Sequence, residues 1–302
     1  MTNVLKKARG LVEPLLPVLA ALAAFIILDT LLAAWAPAES LPYFPKNDYE
    51  KVVLSHGGVT EYDKVIFGNS TLISSYIEEQ SRSGYVNFGL DYGTVSDLYG
   101  MLTKGYLSVK SELVIDLNYF VLMDTLDTNP TYPWHRGALE PYVFFQRDRL
   151  SPALTAAFTN LLHFRDPLAL PQYPDLNRTV YHGVMTDQEL AEKIAAHKAL
   201  FWGLGPDSYK KNLDDLGAVA KWCADNGVRL RVFWGPWNND VEMPENPARI
   251  TAAANAVLAE YGIAAEDMTG CLARKYFYDI GHLNYEYGAV YFTEALDKWL
   301  LF

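Results

Sequence analysis

Apolar positions along this chain follow two different patterns. From Leu15 to Leu28 no residue is charged, and the apolar character continues past Asp29 to Ala36. That is about the 20 residues a helix needs to span a bilayer. The run is apolar on every face, unlike an amphipathic helix lying on a soluble core. Pro14 and Pro17 fit its first turn, where a missing N–H costs little. Residues 37–60 then read as a linker, with three prolines and the pair Gly57-Gly58. From Asp63 the pattern changes again. KVIFG (64–68), YVNFG (85–89) and ELVIDL (112–117) are short apolar runs, the first two closed by glycine, and they predict buried strands. Residues 69–80 and 94–107 between them carry helical spacing, the second opening on a Thr94/Asp97 capping box. Strand and helix in alternation predict a parallel sheet with helices on both faces, an α/β fold in three layers.

Residues 121–205 break that rhythm and read as an insertion, rich in aromatics and prolines, with helices near 148–163 and 187–201. The α/β pattern then resumes. A helix over 210–227 ends at Gly227, a strand covers 229–236, and helices follow over 246–261 and 283–300. The predicted organisation is therefore an N-terminal segment and anchor (1–36), a linker (37–60) and one domain (61–302) interrupted at about 121–205.

Charge orients the first segment. Lys6, Lys7 and Arg9 precede the apolar run and Glu39, Asp48 and Glu50 follow it, so the N-terminus is expected in the cytoplasm and the rest outside. The run is longer than a signal-peptide core, and Pro37 after Ala34-Trp35-Ala36 opposes cleavage, which predicts an uncleaved single-pass anchor in the cytoplasmic membrane. Asp29 inside the hydrocarbon would cost about 2.5–3.5 kcal/mol. The favoured reading takes it to the outer interface and water; the alternative is contact with a partner membrane protein.

The 302 residues hold 25 Lys and Arg against 36 Asp and Glu, a net charge of −11. Half the residues are apolar and 20% are charged, which excludes a disordered, collagenous or coiled-coil chain. An acidic chain is also a poor nucleic-acid binder. The two cysteines, Cys223 and Cys271, stand outside any CxxC or Cys/His cluster, so neither a zinc site nor a disulfide framework is expected, and a single bridge between them stays open.

Candidate chemistry sits where predicted strands end. Ser70 in FGNST follows the first strand and opens a helix, where free N–H groups face a developing oxyanion. Alone it reads as a helix cap. Asp279 stands three residues before His282 in YDIGHLN, close enough to orient an imidazole base. Gly89 and Asn118 end the second and third strands, and with the Ser70 N–H they are candidate oxyanion donors.

The order Ser70, Gly89, Asn118, Asp279-Ile-Gly-His282 resembles the four blocks of the SGNH (GDSL-like) hydrolase superfamily. The resemblance covers residues 63–120 and 205–302. The chain departs from the usual form with GNS for GDS in the first block and DLNY for GxND in the third. With the N-terminal anchor, the strings GNSTL, VNFGLDYGTVSDLYGML and DIGHLN look like the DltD-type proteins of polysaccharide O-acylation. The resemblance implies Ser70 as nucleophile, His282 as base and Asp279 as its orienting carboxylate, with no metal or organic cofactor. It also implies a multi-spanning (MBOAT-type) O-acyltransferase as partner and a cell-envelope or secreted polymer as acceptor. An anchored esterase or lipase, or a non-catalytic assembly subunit, would carry much the same sequence.

Competing motifs are thin. GLGPD (203–207) lacks a full GxGxxG, and neither a P-loop nor HExxH occurs. His135, His163, His182 and His197 are scattered and read as packing or surface residues. Tyr132, Trp134, Tyr142, Tyr173, Trp234 and Trp237 are candidates for a sugar platform, with core or insert packing the better reading for most of them, and the insertion, which holds Trp134, Tyr142 and Tyr173, is expected to shape an elongated acceptor groove beside Ser70.

Overall fold

The computed structural model describes residues 15–242 and 245–302. Lys6, Lys7, Arg9 and Pro14, which carry the expectations for orientation and part of the first turn, lie outside the described residues. In chain order the helices and strands are α1 (Leu16–Trp35), α2 (Pro37–Ser40), α3 (Asp48–Ser55), β1 (Glu61–Gly68), α4 (Ser70–Ser75), β2 (Val86–Gly89), α5 (Val95–Thr103), β3 (Ser108–Leu117), α6 (Tyr142–Phe145), α7 (Arg147–Leu162), α8 (Asp187–His197), α9 (Lys210–Asn226), β4 (Arg229–Trp234), α10 (Glu245–Ala259), β5 (Glu266–Asp267) and α11 (Val290–Leu300). They divide into two compact units: Met1–Lys46 with Arg136–Asp175, and Asn47–His135 with Leu176–Phe302.

In the first unit, α1 buries none of its residues and is long and apolar enough to cross a membrane. A small core of Ala38, Phe44 and Tyr142 packs with Leu32, Ala33 and Leu150. Asp29 is bound by its own chain. It accepts from the Tyr142 and Val143 N–H groups at 3.0 and 3.3 Å and pairs with Arg136 at 3.5 Å. These contacts replace the expected exit of Asp29 to water.

In the second unit, all five strands are parallel, in the order β2-β1-β3-β4-β5. Alternation along each strand divides the core. Val65, Phe67, Leu113, Ile115 and Val232 face a cluster filled by α3, α5, α9 and α10, while Ile66, Val114 and Phe233 face one filled by Leu72, Phe292 and Leu296. Each such side chain contributes about 1.5–3 kcal/mol on burial. Gly227 ends α9 in the left-handed region (φ +69°).

Two boundaries differ from the sequence reading. Residues 37–60 hold α2 and α3 rather than a bare linker; Asn47 caps α3 and Tyr49 and Val52 enter the main core. Residues 121–205 do not form one insertion, because 136–175 group with the unit that holds α1 and the remainder with the sheet. The cysteines are both free, Cys223 buried and Cys271 exposed. The chain leaves β1 toward β2 on one side and enters β3 on the other, so the crevice for a ligand lies at the C-terminal ends of β1 and β3.

Candidate active site

The end of β1 delivers Asn69 and Ser70 to that crevice. Asn69, not Ser70, caps α4: its side chain accepts from the Thr71 N–H at 3.0 Å. Ser70 is thus released from capping and holds the first helical position, where its N–H has no intrahelical acceptor. Its Oγ lies 2.9 Å from His282 Nε2. His282 Nδ1 lies 2.8 Å from Asp279 Oδ2. A carboxylate only accepts, so Nδ1–H donates and Nε2 of the neutral ring is left to accept the Ser70 hydroxyl. Ser70 and His282 are 212 residues apart in sequence.

Asp279 is held from all sides. Oδ1 accepts from the Gly281 N–H at 3.0 Å and the His282 N–H at 2.8 Å, and Oδ2 also receives Lys193 Nζ. Burial opposes its ionisation, but His282 and Lys193 together hold its carboxyl well below the ordinary range. Asn238, in the loop after β4, fixes the same segment by donating to the Asp279 carbonyl at 2.9 Å. The Tyr181 ring lies 4.2 Å from the His282 ring and stacks on Tyr278.

The expected oxyanion donors do not all reach the site. The Gly89 N–H is taken by Asn87 Oδ1 at 2.9 Å, and its backbone is pressed against α4, where a Cβ would meet Ile73 Cγ1 at 2.7 Å. Gly89 is therefore a packing position, not a donor facing substrate. Asn118 stands beside Ser70's helix, but its amide is committed. It donates to Thr71 Oγ1 at 3.1 Å and pairs reciprocally with the Asn69 amide, while its oxygen accepts from the Phe120 and Val121 N–H groups at 3.0 Å. Of the three expected donors only the Ser70 N–H remains for an oxyanion. Beneath this network Thr71 Oγ1 contacts Asp116 at 3.4 Å. Asp116 is fully buried, one of its oxygens has no hydrogen-bond partner among the described residues, and burial pushes its carboxyl up to about 8.

Ser70, Asp279 and His282 open onto a cavity of about 410 Å³. Tyr92, Phe120, Leu126, Leu200 and Phe201 give it apolar walls, while Asp91 and Lys193 add charge. Burial and the neighbouring Asp48 push the Asp91 carboxyl up. Burial and Lys193 push the His197 imidazole down. Segments of 121–205 do shape this cavity, but through Tyr181, Lys193 and Phe201 rather than the expected aromatics. Trp134 is core, stacked on Tyr132, and Tyr142 and Tyr173 belong to the unit that holds α1. Trp234 and Trp237 are also buried.

Among the described residues no group of three His, Cys, Asp or Glu side chains is arranged to hold a metal. Sequence reasoning missed Lys193, Tyr181, Asn238 and Asp116. Asn238 lies in the loop after β4, Lys193 on α8 and Tyr181 in irregular sequence, none of them in a local motif that would have marked it. Compared with protein-family models and with curated proteins, the chain matches none.

Proposed function

We propose that this chain is a membrane-anchored serine acyltransferase or esterase of the SGNH type, a three-layer α/β/α domain working outside the cytoplasmic membrane. The observation that carries the reading is the unbroken hydrogen-bonded series from Ser70 Oγ through His282 to Asp279. A helix-capping serine has no need of such a partner, and here Asn69 does the capping.

In this reading Ser70 Oγ attacks the carbonyl carbon of an acyl ester, and its proton passes to His282 Nε2 as the new bond forms. Asp279 stays ionised, fixes the ring and stabilises the imidazolium. The Ser70 N–H, at the N-terminus of α4, donates to the oxyanion. Collapse breaks the bond to the leaving oxygen, which takes the proton from His282 and departs as an alcohol. An acceptor hydroxyl then gives its proton to His282 and attacks the acyl-Ser70, and Ser70 Oγ leaves and recovers the proton. A polymer hydroxyl in that step gives transfer, and water gives hydrolysis. Asn118 holds Asn69 and Thr71 rather than touching the oxyanion.

O-acylation of a cell-envelope or secreted polysaccharide, with a multi-spanning O-acyltransferase as partner, is supported by the resemblance of the four sequence blocks and by the apolar α1. The aromatic cavity walls suit an acyl group or a sugar ring. The purified full-length protein mixed with p-nitrophenyl acetate tests the chemistry. The expected result is a burst of p-nitrophenol equal to the enzyme present, absent in Ser70→Ala. An undiminished burst in Ser70→Ala would remove Ser70 as nucleophile.

A further inference from the structure

The unit that holds α1 leaves a long apolar stripe uncovered. Leu154, Phe158 and Leu161 follow one another at i, i+4 and i+7 on α7 and are 68%, 61% and 59% exposed. Phe144 extends the stripe upstream, and Leu162, Phe164 and Leu168 continue it downstream, all more than half exposed. The start of the same stripe is already used: Leu150, one turn before Leu154, packs with Ala153 on the core of Ala38, Phe44 and Tyr142 that includes Leu32 and Ala33 of α1. We propose that α7 and the chain following it to Leu170 lie in the membrane interface beside α1, with the stripe against lipid acyl chains. This rests on α1 being a membrane anchor.

Three observations select lipid as the occupant. First, the stripe is continuous with α1, which has the length of a span and buries none of its residues. Second, Asp29 fixes the depth. It lies about 20 Å along α1 from Leu16, inside a hydrocarbon core of about 30 Å. There it accepts the free Tyr142 and Val143 N–H groups and pairs with Arg136. The start of α6 thus reaches the bilayer with those two groups satisfied, a condition for irregular backbone at that depth. Third, residues 136–170 carry four arginines against three carboxylates, in a chain of net charge −11. Arg147 and Arg165 flank the stripe and are exposed, as expected of cations beside anionic headgroups.

Site-directed fluorescence tests this on the full-length protein reconstituted alone in vesicles of phosphatidylethanolamine and phosphatidylglycerol. An environment-sensitive label is attached at Phe158→Cys or Leu161→Cys in a Cys271→Ser background, with Leu22→Cys in α1 and Lys221→Cys as references. The labels at 158 and 161 should be quenched by nitroxide-bearing acyl chains as strongly as the label at 22, and ignore aqueous iodide. If they respond to iodide like the label at 221 while 22 stays lipid-quenched, this inference falls and the anchor stands. If 158 is shielded only in native membranes and not in vesicles, the stripe binds a protein and the lipid proposal is wrong. If the label at 22 is also open to iodide, both this inference and the anchor reading fail.

Discussion

Lys193 and His282 donate to the same oxygen, Oδ2 of Asp279. Lys193 stands on α8, 86 residues from Asp279 in sequence, and lines the cavity onto which Ser70 opens. The carboxylate is therefore shared between the imidazole and a fixed cation. Lys193→Met should let the Asp279 carboxyl rise toward its ordinary value. The carboxylate stays ionised at neutral pH either way, so the loss should come from a less firmly held Asp279–His282 pair and be modest, roughly ten-fold or about 1.4 kcal/mol. Measurement of kcat/KM on Lys193→Met at neutral pH checks this, and an unchanged value would deny Lys193 any part in positioning Asp279.

Asn69 and Ser70 divide capping and chemistry between adjacent residues, so their substitutions should separate. Asn69→Ala removes the α4 cap and should cost about 0.5–2 kcal/mol of stability. Ser70→Ala should leave the melting temperature nearly unchanged and abolish acyl transfer. Thermal unfolding and activity on both variants provide the check.

Asp116 predicts a stability that falls as pH rises. Its folded value of about 8 stands above the ordinary 3.8, so the folded state keeps a proton that the unfolded chain releases between those values. The stabilisation is full below about 4 and is lost as pH climbs to about 8, at roughly 1.4 kcal/mol per pH unit. Asp116→Asn should flatten this slope. Melting temperatures of both proteins across that range test it, and parallel curves would show that Asp116 ionises normally.

Gly89→Ala should act through packing. The new Cβ would meet Ile73 Cγ1 at 2.7 Å and the Ile73 nitrogen at 3.0 Å, pushing α4 away from β2. Overpacking of this kind costs typically about 1–3 kcal/mol. The variant should melt lower, and an unchanged melting temperature would mean the α4–β2 contact yields freely.

The parts legible in the sequence are those with local signals. β1 to β4 announce themselves as apolar runs between helical segments, and Asp279 and His282 lie three residues apart on one loop. Ser70 is legible because it follows β1 directly. β5 is missed because Glu266 and Asp267 are two exposed polar residues, with no apolar run to mark them. α3 is missed because prolines upstream suggest a linker, although Asn47 and Glu50 form a capping box. The oxyanion reading of Gly89 fails through Asn87, two residues earlier, whose side chain captures the N–H. Lys193 and Tyr181 are recruited by tertiary packing, which no local pattern records.

Ser70 as the nucleophile is tested most directly by identifying the residue that an active-site probe modifies. The full-length protein is treated with a fluorophosphonate, digested and analysed by peptide mass spectrometry. One adduct is expected, on Ser70, forming far more slowly in His282→Ala. A protein that stays unmodified, or carries its adduct on another serine, would rule out Ser70 as the nucleophile.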